Sequence, residues 1–277
     1  MSDPTGAPGP GPPLDDHPTP ESTEGEKPLF PGPRSSSWAI LLAIAGFLVG
    51  SVISAILVAI VAAGAGIRIT RGQPADVPIV VIANLVGLWV GLLGATVLAS
   101  HRWGTGHTGR DFGLRLRLWP DLPLGLVVGL GSQFVLIPLI YLPFRPFFPN
   151  LTKILARPAQ TITGQAHGGW LVALALFIAV GAPIVEELFF RGLLLRALDR
   201  RLAGLGRRLG PAAAVVLTGV AFGLAHGEGW ILAVGLGVFG AVLAAMAEIF
   251  DRLGPSIVAH GAFNASTVAA LALVHPH

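Results

Sequence analysis

Long apolar runs dominate this sequence and limit what it can fold into more than any other feature. A helix needs about 20 apolar residues to cross the roughly 30 Å hydrocarbon core of a bilayer. Seven runs approach or exceed that length: residues 38–66, 78–100, 122–144, 169–195, 212–226, 230–250 and 256–274. The sequence therefore predicts an all-α, polytopic bundle of transmembrane helices with seven or eight spans. An eighth span would be hidden in the first or the fourth run.

The composition supports a membrane location. Only 12% of the 277 residues are Asp, Glu, Lys or Arg, against about 25% in ordinary soluble domains. The chain has no cysteine, which excludes disulfide frameworks, thiolate zinc sites and cysteine nucleophiles. It has 37 glycines, which we expect to bring membrane helices into close contact.

Residues 1–36 differ from the rest of the chain. They contain six acidic residues, two basic residues and 10 of the 23 prolines. A segment with so few large apolar residues cannot bury enough surface to offset the entropy lost on ordering, so we predict a disordered N-terminal tail. We expect two further regions: N-terminal transmembrane helices and loops in residues 37–167, and a core in residues 168–274 that holds the polar residues described below.

Arginines mark two of the predicted loops, which follow the second and the fourth apolar run. These loops contain nine of them: Arg102, Arg110, Arg115, Arg117, Arg196, Arg200, Arg201, Arg207 and Arg208. Both loops fall on one side of the membrane if the spans alternate. The positive-inside rule places that side, and the N-terminus, in the cytoplasm, with the chain in the cell membrane. We expect these arginines to face anionic lipid headgroups, and we expect no nucleic-acid partner.

Three ionisable residues lie late in the fourth run, although each such residue costs about 2.5–3.5 kcal/mol on insertion scales. They are Glu186, Glu187 and Arg191. Arg191 follows Glu187 by four residues, so both lie on one helix face, and we expect Arg191 to hold Glu187 ionised. Glu186 then remains to face a cavity. The alternative is that both carboxylates snorkel to the surface near Arg196. Pro183 predicts a kink just before them.

Two histidines and an asparagine lie in the later runs. His226 ends the fifth run, and His260 and Asn264 are four residues apart, on one face of the seventh. Together with Glu186, the imidazoles could bind zinc or hold a water activated by a general base. At 1.5 Å per residue from the expected helix starts, His226 lies about 22 Å deep and His260 about 8 Å. These depths conflict with one shared site unless the His226 helix starts later or tilts.

Three motifs in this order, Glu186-Glu187-x-x-x-Arg191, Phe222-x-x-x-His226 and His260-x-x-x-Asn264, resemble the CPBP intramembrane protease family. That family includes the type II CAAX prenyl endopeptidases and bacterial Abi-type membrane proteins. The resemblance covers about residues 170–270. It implies that residues 168–274 form a helical catalytic core with a cavity open towards the cytosolic side.

The resemblance also implies an activity, that of a CAAX-type intramembrane (metallo)endopeptidase. Glu186 and His226 would activate the attacking water, and His260 and Asn264 would bind a metal or stabilise the oxyanion. The glutamate–arginine pair described above would support them. The implied cofactor is zinc, held by Glu186, His226, His260 and Asn264. A metal-free mechanism with Glu186 as the base stays open.

The substrate also stays open, between prenylated CAAX proteins, bacteriocin-like peptides and other membrane-associated proteins. Two other functions compete with proteolysis. A transporter also places ionisable groups at membrane depth, but the chain has no internal repeat of the kind that transporters often carry. A catalytically silent scaffold or immunity protein would act through membrane contacts alone. The motifs HExxH, GxGD and GxSG are absent, which disfavours the other classes of intramembrane protease.

Overall fold

The computed structural model describes residues 30, 32–68, 77–163, 166 and 168–274. Within these ranges the chain forms helices and no strands, as the sequence predicts. The longer helices are α1 (Pro33–Gly64), α2 (Pro78–Trp103), α3 (Leu118–Phe144), α4 (Leu151–Thr163), α5 (Gly169–Leu205), α6 (Leu209–Ala225), α7 (Trp230–Phe250) and α8 (Gly254–Val274), and a short helix, Thr108–Asp111, lies between α2 and α3. The predicted disorder of the N-terminal tail concerns residues that lie almost entirely outside the described part, and α1 begins within its last four residues.

Five of these helices are long and apolar enough to cross a membrane, namely α1, α2, α3, α5 and α7. Within the described residues, α6 and α8 do not count among the five, and α6 has only 17 residues. Several apolar helices of this length indicate a membrane protein. The total of seven or eight spans stays a prediction.

Glycines bring the helices together, as expected. Gly46 and Gly50 of α1 face Gly91 of α2 so closely that a Cβ atom added at Gly91 would collide with the α1 backbone. Gly219 of α6 and Gly237 of α7 make the same kind of contact. Packing through small residues allows van der Waals contact along the helix backbones, which is a main source of helix association in lipid.

Helix α5, which carries both glutamates, is not uniform. It contains two π-helical stretches, Phe177–Gly181 and Leu188–Leu195, with an α-helical segment, Ala182–Glu187, between them. Pro183 lies in the middle segment, and the helical conformation continues through it from Gly169 to Leu205. The structure therefore has a π-helical stretch that ends at Gly181, two residues before Pro183, in the region where the sequence predicts a kink. Such stretches are rare in proteins overall, and those that occur are often found at functional sites.

The second π-helical stretch forms the centre of the bundle. Every residue of Leu188–Leu195 is buried. Helices α1, α2, α6 and α7 all pack against this stretch. The two glutamates that immediately precede it are thereby held next to a fully buried part of the protein.

Candidate active site

The ion pair predicted between Glu187 and Arg191 is present. Arg191 Nη1 donates to Glu187 Oε1 at 2.7 Å, and both side chains are 0% exposed. Arg191 Nη2 donates to the carbonyl oxygen of Gly240 in α7 at 2.9 Å, and the guanidinium lies 4.5 Å from the centre of the Phe222 ring. Complete burial excludes snorkelling to the surface for Glu187. Arg191 instead fixes the Glu187 carboxylate inside the bundle.

His260 reaches this pair from α8. Its Nδ1 atom lies 3.0 Å from Glu187 Oε1. An ionised carboxylate only accepts hydrogen bonds, so Nδ1 carries the hydrogen in this contact. The rings of Phe222 and Phe239 meet the imidazole edge to face, with centroids 5.5 and 5.9 Å away. The ring is thus held in one orientation, which directs its other nitrogen, Nε2, away from Glu187.

Glu186 lies on that other side of His260. Its Oε2 atom is 3.8 Å from His260 Nε2, which is too long for a hydrogen bond and suits a bridging water. Oε2 is buried and has no hydrogen-bond partner among the described residues. The Glu186 side chain is 14% exposed, whereas that of Glu187 is fully enclosed. The two adjacent carboxylates therefore differ as the helical spacing predicts. Arg191 pairs with one oxygen of Glu187, whose other oxygen is buried without a hydrogen-bond partner, whereas Glu186 pairs with no arginine among the described residues and is partly exposed.

His226 lies immediately after the end of α6. Its Nδ1 atom contacts the backbone carbonyl oxygen of Phe222 at 2.8 Å, and its ring packs edge to face on the Phe222 ring with centroids 4.7 Å apart. Phe222 therefore contacts both His226 and His260, which places the two histidines in one neighbourhood despite their different expected depths. Within the described structure, no hydrogen bond or ion pair joins His226 directly to Glu186.

Asn264 is occupied by the backbone of α5. Its Nδ2 atom donates to the carbonyl oxygen of Ile178 at 2.9 Å. The reason lies in the first π-helical stretch, where the Ala182 N–H bonds to the Phe177 carbonyl oxygen. The next N–H along the helix would belong to Pro183, which has none. The Ile178 carbonyl thus lacks a backbone donor, and Asn264 supplies one of its two amide hydrogens.

The predicted metal ligands do not converge on one point. Zinc requires nitrogen and oxygen ligands about 2.0–2.2 Å from the ion. Among the residues that the structure describes, no three His, Asp or Glu side chains lie close enough together to hold a metal ion. Of the four predicted ligands, Glu186 and His260 approach each other, whereas Asn264 faces a backbone carbonyl. This arrangement does not fit a four-ligand zinc ion, and zinc stays a prediction from the sequence.

A second buried ion pair has no counterpart in the sequence-based predictions. Asp121, near the start of α3, is fully buried and accepts from Arg252 Nη2 at 2.6 Å and from the Arg117 backbone N–H at 2.8 Å. The hydrogen bond from Arg252 to Asp121 raises the pKa of Arg252. The sequence offers one signal for this pair, because Asp121 is an acidic residue directly before the third apolar run. The pair joins α3 to the turn between α7 and α8.

The sequence-based predictions also assign no function to the aromatic side chains around His260. Phe222 appears in the sequence only as part of a motif, and Phe239 of α7 carries no motif at all. The structure packs Phe239 against both His260 and Phe263. Their role depends on how three helices meet, which spacing along the chain does not reveal.

The region that holds this site matches a known protein family. Residues 168–266 match the family model described as Type II CAAX prenyl endopeptidase Rce1-like. This range is 99 of the 277 residues and includes every candidate residue from Glu186 to Asn264. No curated protein and no solved structure matches the chain. The resemblance inferred from the three motifs is thereby confirmed, and it points to CAAX-type protease activity within the membrane.

Proposed function

We propose that the Rce1-like domain makes this protein an intramembrane endopeptidase, which hydrolyses a peptide bond in a membrane-associated protein or peptide. One observation carries the proposal. Arg191 holds Glu187, Glu187 holds Nδ1 of His260, and Nε2 of His260 faces the unpaired oxygen of Glu186. A carboxylate with a free oxygen beside an oriented imidazole is the arrangement that general acid–base catalysis requires.

The attacking water occupies the space between Glu186 Oε2 and His260 Nε2. Glu186 accepts one proton from this water as the general base. Because Nδ1 of His260 carries its hydrogen towards Glu187, Nε2 of His260 accepts the other hydrogen of this water. The Nδ1 atom of His226 bonds to the Phe222 carbonyl, so Nε2 of His226 is the alternative acceptor for that hydrogen. The water oxygen then attacks the scissile carbonyl carbon, and the C=O electron pair moves onto the carbonyl oxygen.

The negative charge on that oxygen requires hydrogen-bond donors. Asn264 uses one amide hydrogen for Ile178, and its second hydrogen can donate to the oxyanion. When the tetrahedral intermediate collapses, the C–N bond breaks and Glu186 returns its proton to the leaving nitrogen. The products are a carboxylic acid and an amine, and protein groups carry each proton transfer.

The substrate class follows from the surroundings of the site. Helices with exposed apolar faces surround it, so a hydrophobic or lipid-modified segment can approach from the membrane. Prenylated CAAX proteins, the substrates named in the family description, are the first class to test. Bacteriocin-like peptides and other membrane-associated proteins are the next.

Comparative proteomics would test the activity in cells. We expect a C-terminal or juxtamembrane cut that occurs with the wild type, disappears with Glu186→Gln and persists with Glu248→Gln. Glu248 is a matched control because it is an exposed glutamate near the end of α7, outside the candidate site. The proposal fails if the cut persists in Glu186→Gln protein that is folded and equally abundant in the membrane.

Chelation would separate the two mechanisms. We expect purified wild-type protein to keep cleaving its substrate after treatment with a strong zinc chelator, because Glu186 performs the proton transfers and the histidines orient the water. Loss of cleavage on chelation, restored by added zinc, would instead support the four-ligand zinc site that the sequence predicts.

The orientation can be tested with a single introduced thiol. We propose that the N-terminus and the arginine-rich loops lie in the cytoplasm of the cell. Because the natural chain has no cysteine, an Arg207→Cys variant carries one thiol, and we expect a membrane-impermeant maleimide to label it only after the cells are opened. Labelling of intact cells would reverse the orientation.

A further inference from the structure

We propose that a cleft between α1 and the end of α5 binds the headgroup of an anionic phospholipid. Arg34, Ser37 and Trp38 of α1 and Arg201 of α5 line this cleft. None of these residues belongs to the candidate active site, and the inference does not depend on the proposed protease activity.

The charge of the α1–α5 cleft comes from two arginines on different helices. Neither Arg34 nor Arg201 has a hydrogen bond or an ion pair with another residue in the described part of the chain. By contrast, Arg191, Arg196 and Arg252 each pair with a carboxylate. A guanidinium presents pairs of N–H donors that match the oxygens of a phosphate group, so two of them in one cleft favour a phosphate ligand.

An apolar stripe on α1 continues from the cleft. Trp38, Leu41, Leu48 and Val52 are each more than half exposed, and their spacing places them on one side of the helix. Tryptophan is common at the level of lipid headgroups, where its ring is partly in the membrane. A phospholipid can fill both parts, with its phosphate between the arginines and an acyl chain along the stripe. A free phosphate ion would use only the first part.

The position of the cleft fits a headgroup. Arg34 is the second residue of α1, and Arg201 lies in the last turns of α5. Basic clefts between membrane helices are known sites for anionic headgroups. A bound phosphate would connect α1 to α5, the helix that also carries Glu186.

Thermal unfolding of the purified full-length chain in a zwitterionic detergent would test the proposal. We expect phosphatidylglycerol, but not phosphatidylcholine, to raise the unfolding temperature of the wild type. For Arg34→Gln/Arg201→Gln the apparent affinity for phosphatidylglycerol should fall at least about tenfold, because both guanidinium–phosphate contacts are removed. The control pair Arg207→Gln/Arg208→Gln removes the same charge from the loop after α5 and should bind as the wild type does.

Three results would overturn the proposal. An equal loss of affinity in the control pair would indicate general attraction by the loop. An equal stabilisation by inorganic phosphate would make free phosphate the ligand, and stabilisation only by a peptide of residues 1–29 would make the acidic end of the chain the occupant.

If the double variant does not fold, Arg201→Gln replaces it. Phosphatidylglycerol that co-purifies with the wild type should then be depleted in Arg201→Gln and retained in the control, and equal amounts in both would also overturn the proposal.

Discussion

Two buried ion pairs in this molecule have the same chemistry and different surroundings. Glu187 and Arg191 lie one turn apart on α5, in the centre of the bundle. Asp121 and Arg252 join the start of α3 to the turn before α8. Both carboxylates are fully buried, so each pair must compensate the loss of hydration of its charges.

The difference lies in what each pair holds. Asp121 accepts hydrogen bonds on both oxygens, from Arg252 and from the Arg117 backbone, and Arg252 also donates to the Phe250 carbonyl oxygen. That network ends in backbone groups, so it acts as a clamp between helices. Glu187 instead shares one oxygen between Arg191 and His260. That network continues to a histidine, and beyond it to Glu186.

The largest expected effect comes from Glu186→Gln. Removal of a general base typically lowers the rate by 10²- to 10⁴-fold, so kcat/KM should fall by about that factor. The free energy of unfolding should change little, because Glu186 Oε2 has no partner within the described residues. A cleavage assay and chemical unfolding on the same preparation would check both. A comparable loss of turnover per folded molecule in Asp121→Asn would remove the distinction between the two networks.

Replacement of Glu187 should affect both properties. Glu187→Gln leaves the buried Arg191 without its carboxylate and weakens the acceptor for His260. Breaking a buried pair in this way typically costs about 3–5 kcal/mol of stability. We expect turnover of the remaining folded protein to fall as well, because His260 is no longer held in one orientation. Chemical unfolding and a cleavage assay would test this, and unchanged turnover would show that Glu187 has only a structural role.

Replacement of Asp121 should affect stability alone. Asp121→Asn removes the charge opposite Arg252 and should cost about 1–3 kcal/mol. The loss is smaller than at Glu187 because the Arg252 side chain is partly exposed and water can compensate it. The measurement is an unfolding curve together with turnover per folded molecule. A large drop in turnover at unchanged stability would contradict the assignment of this pair as a clamp.

The smallest expected effect concerns a third carboxylate, Asp111, at the end of the short helix between α2 and α3. Burial tends to raise its pKa, but hydrogen bonds from Ser100, Thr105 and Gly106 outweigh this and hold the pKa below the usual value of 3.8. Asp111 therefore contributes stability above pH 3.8, and that contribution is lost as the pH falls through its lowered pKa.

Unfolding temperatures at pH 5 and pH 3 would measure this contribution. We expect Asp111→Asn to be less stable than the wild type at pH 5 and to lose less stability between the two values. Glu228→Gln, in an exposed loop, serves as the control and should behave like the wild type. An unchanged pH dependence in Asp111→Asn would show that other groups dominate in this range.

The sequence predicted the local parts of the site. The pair formed by Glu187 and Arg191 depends only on the helical repeat, which brings residues four apart together. The prediction survives although Arg191 lies in a π-helical stretch. The division between Glu186 and Glu187 follows from the same geometry, and membrane helices follow from the apolar runs.

Contacts between distant helices could not be predicted from spacing. The contact from His260 to Glu187 spans 73 residues, and that from Arg252 to Asp121 spans 131. The family resemblance groups Glu186 with His226, whereas the structure places His260 next to Glu186. Which residue lies beside Glu186 depends on the packing of α5 against α6 and α8, which spacing along the chain does not reveal.

The π-helical stretches of α5 make the length of this helix part of the site. Each stretch accommodates more backbone per turn than an α-helix does, so the direction of Glu186 depends on the number of residues before and after it. If Phe177–Gly181 were wound as a regular α-helix with the same number of residues, Glu186 would turn by about 100° relative to the preceding part of α5. The site could therefore be lost with every one of its side chains still present in the sequence.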